Sequence, residues 1–265
     1  MGGVDAVTEV LWESDGLLEA PRPLPDGSVL FANTTAGGVY RWSDGNVSTV
    51  LEKRRGIGGI AVHADGGFLV SGRDLAYAGP AGLRTVWAAD GATGLNDLTV
   101  APDGSVVVGV LRHQPRRGEA AGPTELVQVA PDGGTRVLAS DLLWPNGVGY
   151  APDGTRLYVC EYAAARVRVI GPQGASVFAE APRGECDGLA VDVEGGVWVA
   201  LGSGGGIARF DSGGALVELI EVPGRFVSSL AFAGTAIYLT TIGALLRMDV
   251  GVPGSEIPAA AMQID

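Results

Sequence analysis

Side chains that carry oxygen atoms recur at a fixed distance before a turn motif that this sequence repeats. Segments such as "PLPDGSVLFA", "VAPDGSVVVG" and "YAPDGTRLYV" each place a polar turn between two apolar runs. Seven residues before the turn position of six such segments stand, in chain order, Glu19, Gly58, Asn96, Asn146, Asp187 and Phe226. Four of these six carry carboxylate or amide oxygens, which suit Ca²⁺, Mg²⁺ or Mn²⁺.

The shared offset favours a site over a set of unrelated turn residues. Asn and Asp before Gly or Asp are ordinary turn formers, and each of "LND", "PNG" and "CDG" could simply begin a strand. Glu19, however, stands where no turn residue is needed. Two carboxylates that converge repel each other unless a cation lies between them. The two histidines, His63 and His113, do not have the spacing of a zinc pair.

The spacing of the turns defines an internal repeat. The turn positions are separated by 39, 38, 50, 41 and 39 residues, which gives six copies. Each copy contains two hairpins and therefore four strands. This pattern predicts an all-β fold, a six-bladed β-propeller with four antiparallel strands per blade, as one domain over residues 1–265. A flat sandwich of hairpins is the alternative, and it does not explain so regular a spacing.

The last repeat is incomplete, and the N-terminal segment can complete it. We expect Val7 to Leu11 to pair into the last blade as its fourth strand, which would close the ring and leave no sheet edge there. The tail after Val252 follows the last strand and is expected to be loosely attached.

Composition excludes several classes of partner. The net charge is −12 and the pI about 4.6, which argues against nucleic acid and against anionic membranes. No signal peptide and no apolar run of membrane-spanning length is found in the sequence, so a cytoplasmic location is expected. With nucleic acid and membranes set aside, a small-molecule substrate is the expected partner. Cys160 and Cys186 are then expected to be free thiols.

The motifs carrying these residues resemble those of one family. "LLEAPRPLPDGSVLFAN", "GLNDLTVAPDGSVVVG", "PNGVGYAPDGTRLYVCEY" and "CDGLAVDVEGGVWVA" span residues 17–202. In combination they resemble the SMP-30/gluconolactonase/luciferin-regenerating-enzyme-like family of six-bladed propellers, whose members commonly hydrolyse lactones of sugar acids or related esters.

The resemblance implies roles for the four oxygen-bearing residues. Glu19, Asn146 and Asp187 correspond to the protein ligands of one divalent cation, with Ca²⁺ the best fit and Mg²⁺, Mn²⁺ or Zn²⁺ also compatible. Asn96 corresponds to a residue beside the metal that contacts substrate or water. Asp187 is also the expected general base. Sugar-lactone enzymes of the family often carry Arg where this chain has Gly94, so the resemblance implies a wider, more apolar pocket.

The loops that follow the second strand of each repeat are expected to surround the entrance of the central channel, which is called the mouth below. Arg112 and His113 begin the long insertion "RHQPRRGEAAGPTE" and could cover the site, although a solvated basic loop is the simpler interpretation. Glu161 and Tyr162 directly follow a strand and are expected to contact substrate. Trp144 stands two residues before Asn146 and is expected to line the mouth.

Together these observations predict a metal-dependent hydrolase that opens a lactone or related ester by metal-activated water at the propeller centre. Two alternatives remain open. One is a cyclase, isomerase or condensing enzyme of secondary metabolism on the same scaffold. The other is a propeller that binds a cation without catalysis.

Overall fold

The computed structural model describes residues 8–114, 117–222 and 225–264. These residues form β-strands joined by turns, with a 3₁₀ helix at Tyr162–Ala164. The strands are β1 (Glu9–Pro23), β2 (Val29–Asn33), β3 (Val39–Ser43), β4 (Asn46–Leu51), β5 (Ile60–Val62), β6 (Phe68–Val70), β7 (Leu75–Gly79), β8 (Gly82–Trp87), β9 (Gly94–Val100), β10 (Val106–Leu111), β11 (Pro123–Val129), β12 (Thr135–Leu143), β13 (Pro145–Tyr150), β14 (Leu157–Glu161), β15 (Arg166–Gly171), β16 (Gly174–Glu180), β17 (Leu189–Val191), β18 (Val197–Ala200), β19 (Gly206–Phe210), β20 (Leu216–Glu221), β21 (Val227–Ala233) and β22 (Ala236–Asp249).

Aspartate side chains fix the turns that follow the inner strands. Asp103 Oδ1 accepts the backbone N–H of Ser105 at 3.0 Å. Asp153 Oδ1 accepts both the backbone N–H and the hydroxyl of Thr155, at 2.9 and 2.8 Å. Gly154 follows with φ 68°, a left-handed conformation that costs glycine little. These turns fix where each inner strand ends. They therefore also fix the position, along the propeller axis, of the residue that stands seven positions before each turn.

The strands of the described residues form five hydrogen-bonded sheets around one axis. Four sheets have four strands each, in the orders β5-β6-β7-β8, β12-β11-β10-β9, β13-β14-β15-β16 and β17-β18-β19-β20. The fifth has six strands in the order β21-β22-β1-β2-β3-β4. All the pairings within them are antiparallel. The prediction of an all-β propeller is thus confirmed.

The prediction of six separate four-stranded blades is wrong, because the first and last repeats share one sheet. β1 runs for 15 residues without interruption. It pairs with β22 from Glu9 opposite Arg247 as far as Leu17, and then with β2 from Leu18 opposite Asn33. The N-terminal segment therefore does pair with the last repeat, as predicted, although Val7 lies outside the described residues. Continuation of β1 into the first repeat joins the two units, so six sequence repeats give five sheets.

Burial decreases from the inner strands to the outer ones. β10 (VVVGVL) and β18 (VWVA) are buried almost throughout, whereas β4, β8 and β16 at the outer edges are largely exposed. Neighbouring sheets pack face to face, so both faces of a middle strand need apolar residues. Val106 and Val108, for example, share a cluster with Leu69 and Leu75 of the preceding sheet.

The C-terminal tail is fixed to the propeller, contrary to the prediction that it is loosely attached. The backbone N–H of Ser255 donates to Val191 O at 2.8 Å, and that of Ala260 to Val62 O at the same distance. His63 Nε2 lies 2.8 Å from Met262 O. Ala260 and Met262 are buried. The contacts lie at the turn ends of the inner strands, so the tail crosses the face opposite to the starts of those strands.

Candidate functional site

Four predicted residues lie on, or two positions before, strands of four different repeats. Glu19 lies on β1, Asn96 on β9 and Asn146 on β13, while Asp187 stands two residues before β17. Asn146 and Asp187 are buried, and Glu19 and Asn96 are partly exposed. Glu19, Asn96, Asn146 and Asp187 are called the oxygen cluster below. Each belongs to a different repeat, as the shared offset predicted.

A belt of hydrogen bonds links successive repeats at this level. A backbone or side-chain group of the third, fourth, fifth and sixth repeats bonds to the next repeat around the ring, so these inner strands cannot shift independently. The links are Asn96 Nδ2 to Pro145 O (3.0 Å), Gly147 N to Asp187 O (2.9 Å), Gly188 N to Ser228 O (2.8 Å) and Ser228 Oγ to Leu18 O (2.6 Å). The belt therefore positions the residues on either side of each cluster member.

Glycine is required where neighbouring inner strands approach most closely. A Cβ atom on Gly147 would lie 2.2 Å from the backbone nitrogen of Leu189, and one on Gly58 would lie 2.5 Å from Asn96 Oδ1. Both distances are below any normal contact. This explains why the second repeat supplies no side chain to the oxygen cluster: a larger residue at position 58 would displace Asn96.

The two carboxyl groups of the cluster lie in a common electrostatic environment. Burial raises the pKa of Asp187 well above its usual value, Asp97 and Glu185 raise it further, and the hydrogen bond from Asn146 opposes them. Burial also raises the pKa of Glu19, with contributions from Asp187 and Asp97. Bringing such groups together costs free energy when both are ionised.

A divalent cation fits this donor set. Asn146 Nδ2 donates to Asp187 Oδ1, which leaves the amide oxygen of Asn146 and the second carboxylate oxygen of Asp187 available. With the carboxylate of Glu19 these are hard oxygen donors, and a doubly charged ion would balance the two carboxylates. Within the described ranges no group of three or more His, Cys, Asp or Glu side chains could hold a metal. The oxygen cluster has only two such side chains and takes its other oxygens from amides.

Asp97 belongs to the same region, and sequence reasoning missed it. Burial raises the pKa of its carboxyl group to about 7, while the Leu98 N–H and Arg22 lower it. Asp97 and Arg22 line a cavity of about 720 Å³ in the channel, which residues 254–259 of the tail also line. Successive residues of a regular strand point to opposite faces, so the position of Asp97 next to Asn96 gave no signal. The register of β9 against β10 shifts between Leu95 and Leu98, the interval that contains both residues.

Two residues that were predicted to contact substrate, Glu161 and Arg112, form ion pairs within the protein instead. Glu161 is fully buried, where it accepts from Arg166 Nε at 2.5 Å and from the backbone N–H of Leu143 at 2.9 Å. Arg112 pairs with Glu125 at 2.8 Å and donates to Asp90 O. The first interaction ties β14 to β15, and the second ties the start of the insertion to its end.

The other two predicted contacts lie together beside Trp144. The ring centroids of His113 and Trp144 are 4.9 Å apart, and those of Trp144 and Tyr162 are 4.6 Å apart. Burial raises the pKa of Tyr162, and Asp187, Glu185 and Glu19 raise it further, which places its phenol within electrostatic range of the oxygen cluster.

The cysteines supply no nucleophile to this arrangement. Cys160 and Cys186 are buried and free, as the sequence predicted. Burial raises the pKa of the Cys160 thiol, with Cys186 contributing, so its reactive thiolate form is disfavoured.

The chain belongs to the family described as SMP-30/Gluconolactonase/LRE-like region. The sequence model of that family matches residues 17–243, which include the whole oxygen cluster. The resemblance predicted from the four motifs is thereby confirmed. No helix in the described part of the chain has the length and apolar character needed to cross a membrane.

Two relatives and one solved structure illustrate the similarity. The chain is 28% identical over 259 residues to pentonolactonase XacC of Haloferax volcanii, covering 89% of this chain and 85% of the relative. It is 29% identical over 231 residues to 6-deoxy-6-sulfogluconolactonase of Pseudomonas putida, covering 80% and 78%. The calcium-binding protein regucalcin of Agrobacterium tumefaciens superposes with a TM-score of 0.80 at 21% identity, covering 98% of each chain. The last similarity shows the fold alone, whereas the first two make this chain a lactonase-like member of its family.

Proposed function

We propose that this protein hydrolyses a lactone, or a related ester, at the oxygen cluster with the help of one divalent cation. The proposal is supported by the hydrogen bond between Asn146 and Asp187 and by the electrostatic interaction of Glu19 with Asp187, since these three residues come from three different repeats. The similarity to two lactonases supports the reaction class. The donor set of two carboxylates and amide oxygens supports a hard divalent cation.

Glu19, Asn146 and Asp187 are the residues that would hold the cation. When bound, a divalent ion polarises a carbonyl oxygen and lowers the pKa of water. Glu19 and Asp187 supply the balancing charge, and Asn146 contributes a neutral amide oxygen. Ca²⁺ is the expected ion, because Asn and carboxylate oxygens are its usual protein ligands.

Asp187 is the residue that would move the proton. Its Oδ1 accepts from Asn146, so Oδ2, the oxygen that would also face the cation, would take a proton from an attacking water through its second lone pair. The water oxygen bonds to the acyl carbon, and the C–O bond of the ring then breaks. Asp187 returns the proton to the departing ring oxygen, which yields the hydroxy acid.

Asn96 is the residue that would orient the substrate. Its Nδ2 is committed to Pro145 O, so its Oδ1 is the atom available to accept a hydrogen bond from a substrate hydroxyl. This commitment also fixes the direction of the side chain, which limits the entropy lost on binding.

The test is a screen of neutral lactones and simple esters on protein that has been stripped with chelator and reloaded with Ca²⁺, Mg²⁺, Mn²⁺ or Zn²⁺. We expect hydrolysis that disappears with chelator and returns with one of these ions. The Asp187→Asn variant should keep the hydrogen bond to Asn146 and lose turnover by about 10²-fold or more. A matched control is Asp211→Asn, since Asp211 is an exposed turn residue. Full turnover by Asp187→Asn would remove the proton-transfer assignment, and cation binding without hydrolysis would favour a non-catalytic cation-binding protein.

A further inference from the structure

β1 bulges directly after Glu19, and Arg22 follows the bulge. The pairing of β1 with β2 shifts register between these two residues, and Ala20, inside the interval, has φ 53°. Residues three apart on a regular strand point to opposite faces, and an inserted residue changes that alternation. Arg22 lines the channel cavity of about 720 Å³, three positions after a member of the oxygen cluster.

Arg22 links the first repeat to the second and keeps its charge free of close carboxylates. Its Nε donates to Ile60 O at 3.0 Å, which extends the hydrogen-bond belt from β1 to β5. Among the residues that the structure describes, no carboxylate oxygen lies within 4.0 Å of its guanidinium. Arg22 is also the one basic residue among the described residues that line the cavity. Its positive charge therefore acts on the channel as a whole.

Asp97 is the acidic residue that Arg22 acts on most directly. Both residues line the same cavity. Oδ1 of Asp97 accepts the backbone N–H of Leu98 at 2.7 Å, so its own strand fixes its direction. Burial lowers the pKa of Arg22, and Asp97 raises it. The two charges therefore attract each other through the cavity without forming an ion pair.

Asp97 acts in turn on both carboxyl groups of the oxygen cluster. After burial, Asp97 is the charge that raises the pKa of Asp187 most, and it raises that of Glu19 together with Asp187. Glu185, the other carboxylate that acts on Asp187, is partly exposed, so solvent screens its charge. Glu19, Asp97 and Asp187 thus form one electrostatic group, in which Arg22 is the balancing positive charge.

The charges of this group match an ion of charge +2. Three ionised carboxylates, Glu19, Asp97 and Asp187, give −3, and Arg22 reduces the sum to −2. Without Arg22 the sum would stay at −3 and would favour a trivalent ion. An ion of charge z experiences z times the potential of a fixed charge, so the guanidinium repels a trivalent ion half as strongly again as a divalent one.

We infer that Arg22 sets the charge preference of the cation site, because its guanidinium weakens the binding of every cation and that of a trivalent ion most. This inference rests on the cation of the proposed function and adds the residue that selects its charge. Arg22 acts through Asp97 and through the potential in the channel. A guanidinium suits this role, since it stays ionised at neutral pH even when it is buried.

Calorimetric titration of Ca²⁺ and Tb³⁺ into chelator-stripped protein at pH 7.5 tests the inference. Arg22→Met removes the charge and keeps an unbranched side chain. The Kd for Ca²⁺ should fall by about tenfold and that for Tb³⁺ by about 30-fold, because the logarithms of the two changes scale as 2 to 3. Arg22→Lys keeps the charge, so both Kd values should stay within about threefold of wild type. Arg84→Met is the matched control on the exposed outer strand β8 and should change neither value.

Asp97→Asn completes a double-mutant cycle with Arg22→Met. Alone it removes a negative charge, so it should raise the Kd for Ca²⁺ by about tenfold and that for Tb³⁺ by about 30-fold. Combined with Arg22→Met it restores the charge of the group, so both Kd values should return to within about threefold of wild type.

A thermal melt in chelator separates the charge from the packing of Arg22. Arg22→Met and the double variant both lose the bond to Ile60 O, so the Tm of both should fall. A residue that only supports the strands would weaken cation binding in both variants, and Asp97→Asn would not compensate. Arg22→Gln removes the charge and keeps an N–H donor. It should give the same Kd changes as Arg22→Met and replaces it in the comparison if that variant does not fold.

The outcomes distinguish this inference from the proposed function. If wild type binds Ca²⁺ but removal of the Arg22 charge weakens both ions, changes both by one factor or changes neither, the inference is overturned and the cation site stands. Failure of Asp97→Asn to compensate overturns it as well. If wild type binds neither ion, the inference and the cation of the proposed function fail together. Cation binding with the expected changes, but without turnover of any lactone, supports the inference and overturns the hydrolase.

Discussion

Asn146 donates its side-chain N–H to the carboxylate of Asp187, although the two residues are 41 positions apart and lie in neighbouring sheets. The backbone N–H of Gly147 also donates to Asp187 O at 2.9 Å. Two adjacent residues of one repeat thus fix both the main chain and the side chain of Asp187. This double attachment sets the direction in which Asp187 presents its second carboxylate oxygen.

Replacing Asn146 with Ala should weaken both cation binding and turnover. The change removes one oxygen donor and frees the Asp187 side chain from its hydrogen bond. We expect the Kd for Ca²⁺ to rise by about tenfold or more and kcat/KM to fall by about 10²-fold. Isothermal titration calorimetry and lactone kinetics measure the two effects.

The matched control for this variant is Asn46→Ala. Asn46 is exposed, at the turn between β3 and β4 on the outside of the propeller, and should affect neither quantity. Wild-type Ca²⁺ affinity in Asn146→Ala would show that Asn146 does not ligate the ion.

Replacing Glu19 with Gln should stabilise the cation-free protein and abolish its response to Ca²⁺. Without a cation, the partly exposed Glu19 is partly desolvated and is repelled by Asp187 and Asp97 when ionised, and the amide removes that charge. Ca²⁺ at about 100 times its Kd should stabilise wild type by about 3 kcal/mol and leave Glu19→Gln unchanged.

Differential scanning calorimetry with chelator and with Ca²⁺ measures both parts of the Glu19 prediction. The exposed Glu52→Gln serves as the control and should respond to Ca²⁺ like wild type. A Ca²⁺-induced rise in the Tm of Glu19→Gln equal to that of wild type would exclude Glu19 as a ligand.

Asp97 should make the cation-free protein less stable as pH rises. Its pKa is about 7 in the folded chain against an ordinary value of 3.8, so the folded state keeps a proton that the unfolded state loses. Its contribution is complete below about pH 4 and is lost as pH rises to about 7, by at most about 4 kcal/mol. Asp97→Asn should flatten this part of the profile.

Urea unfolding in chelator between pH 4 and pH 8 measures the contribution of Asp97. The exposed Asp65→Asn should keep the wild-type slope. An Asp97→Asn profile parallel to that of wild type would contradict the assignment.

The C-terminal tail should contribute to global stability. Met262 is 3% exposed and packs in the cluster that contains Leu69, Leu75 and Val106. Met262→Ala should lower the free energy of unfolding by about 2–4 kcal/mol, because it leaves a cavity in a packed interface. Gln263→Ala, at the exposed neighbouring position, should change it by less than about 0.5 kcal/mol. Equal urea midpoints for the two variants would mean that the tail is not fixed in solution.

The sequence predicted that Asn146 and Asp187 would lie together, and it did not predict the number of sheets. Turn spacing fixes where each inner strand starts, and so it was enough to bring Asn146 and Asp187 together. The sheet count depends on whether β1 is interrupted between Leu17 and Leu18, where its partner changes from β22 to β2. Asp15 and Gly16 stand just before that point and are typical of a turn, yet β1 continues through them with Gly16 at φ 96°. The local sequence therefore favours a break that the structure does not have.

Other features depend on contacts that the sequence does not encode locally. Glu161 directly follows the apolar part of a strand, and this position predicted a substrate contact at the mouth. Its ion pair with Arg166, on the neighbouring strand β15, instead holds the Glu161 side chain inside the sheet. The tail lacked strand periodicity, and its attachment comes from backbone groups of Ala260 and Met262 that bond to His63 and its neighbours. The side chain of Asp97 is buried because other repeats surround it once the propeller closes. The sequence of one repeat, considered alone, does not contain this information.

Calorimetric titration of Ca²⁺ into chelator-stripped protein, with lactone turnover followed in the same samples, tests the oxygen cluster most directly. Our account predicts one bound ion per chain, turnover that rises in proportion to occupancy, and loss of both in Asp187→Ala. Full lactone turnover in the stripped protein, or an ion that still binds in Asp187→Ala with unchanged affinity, would contradict it.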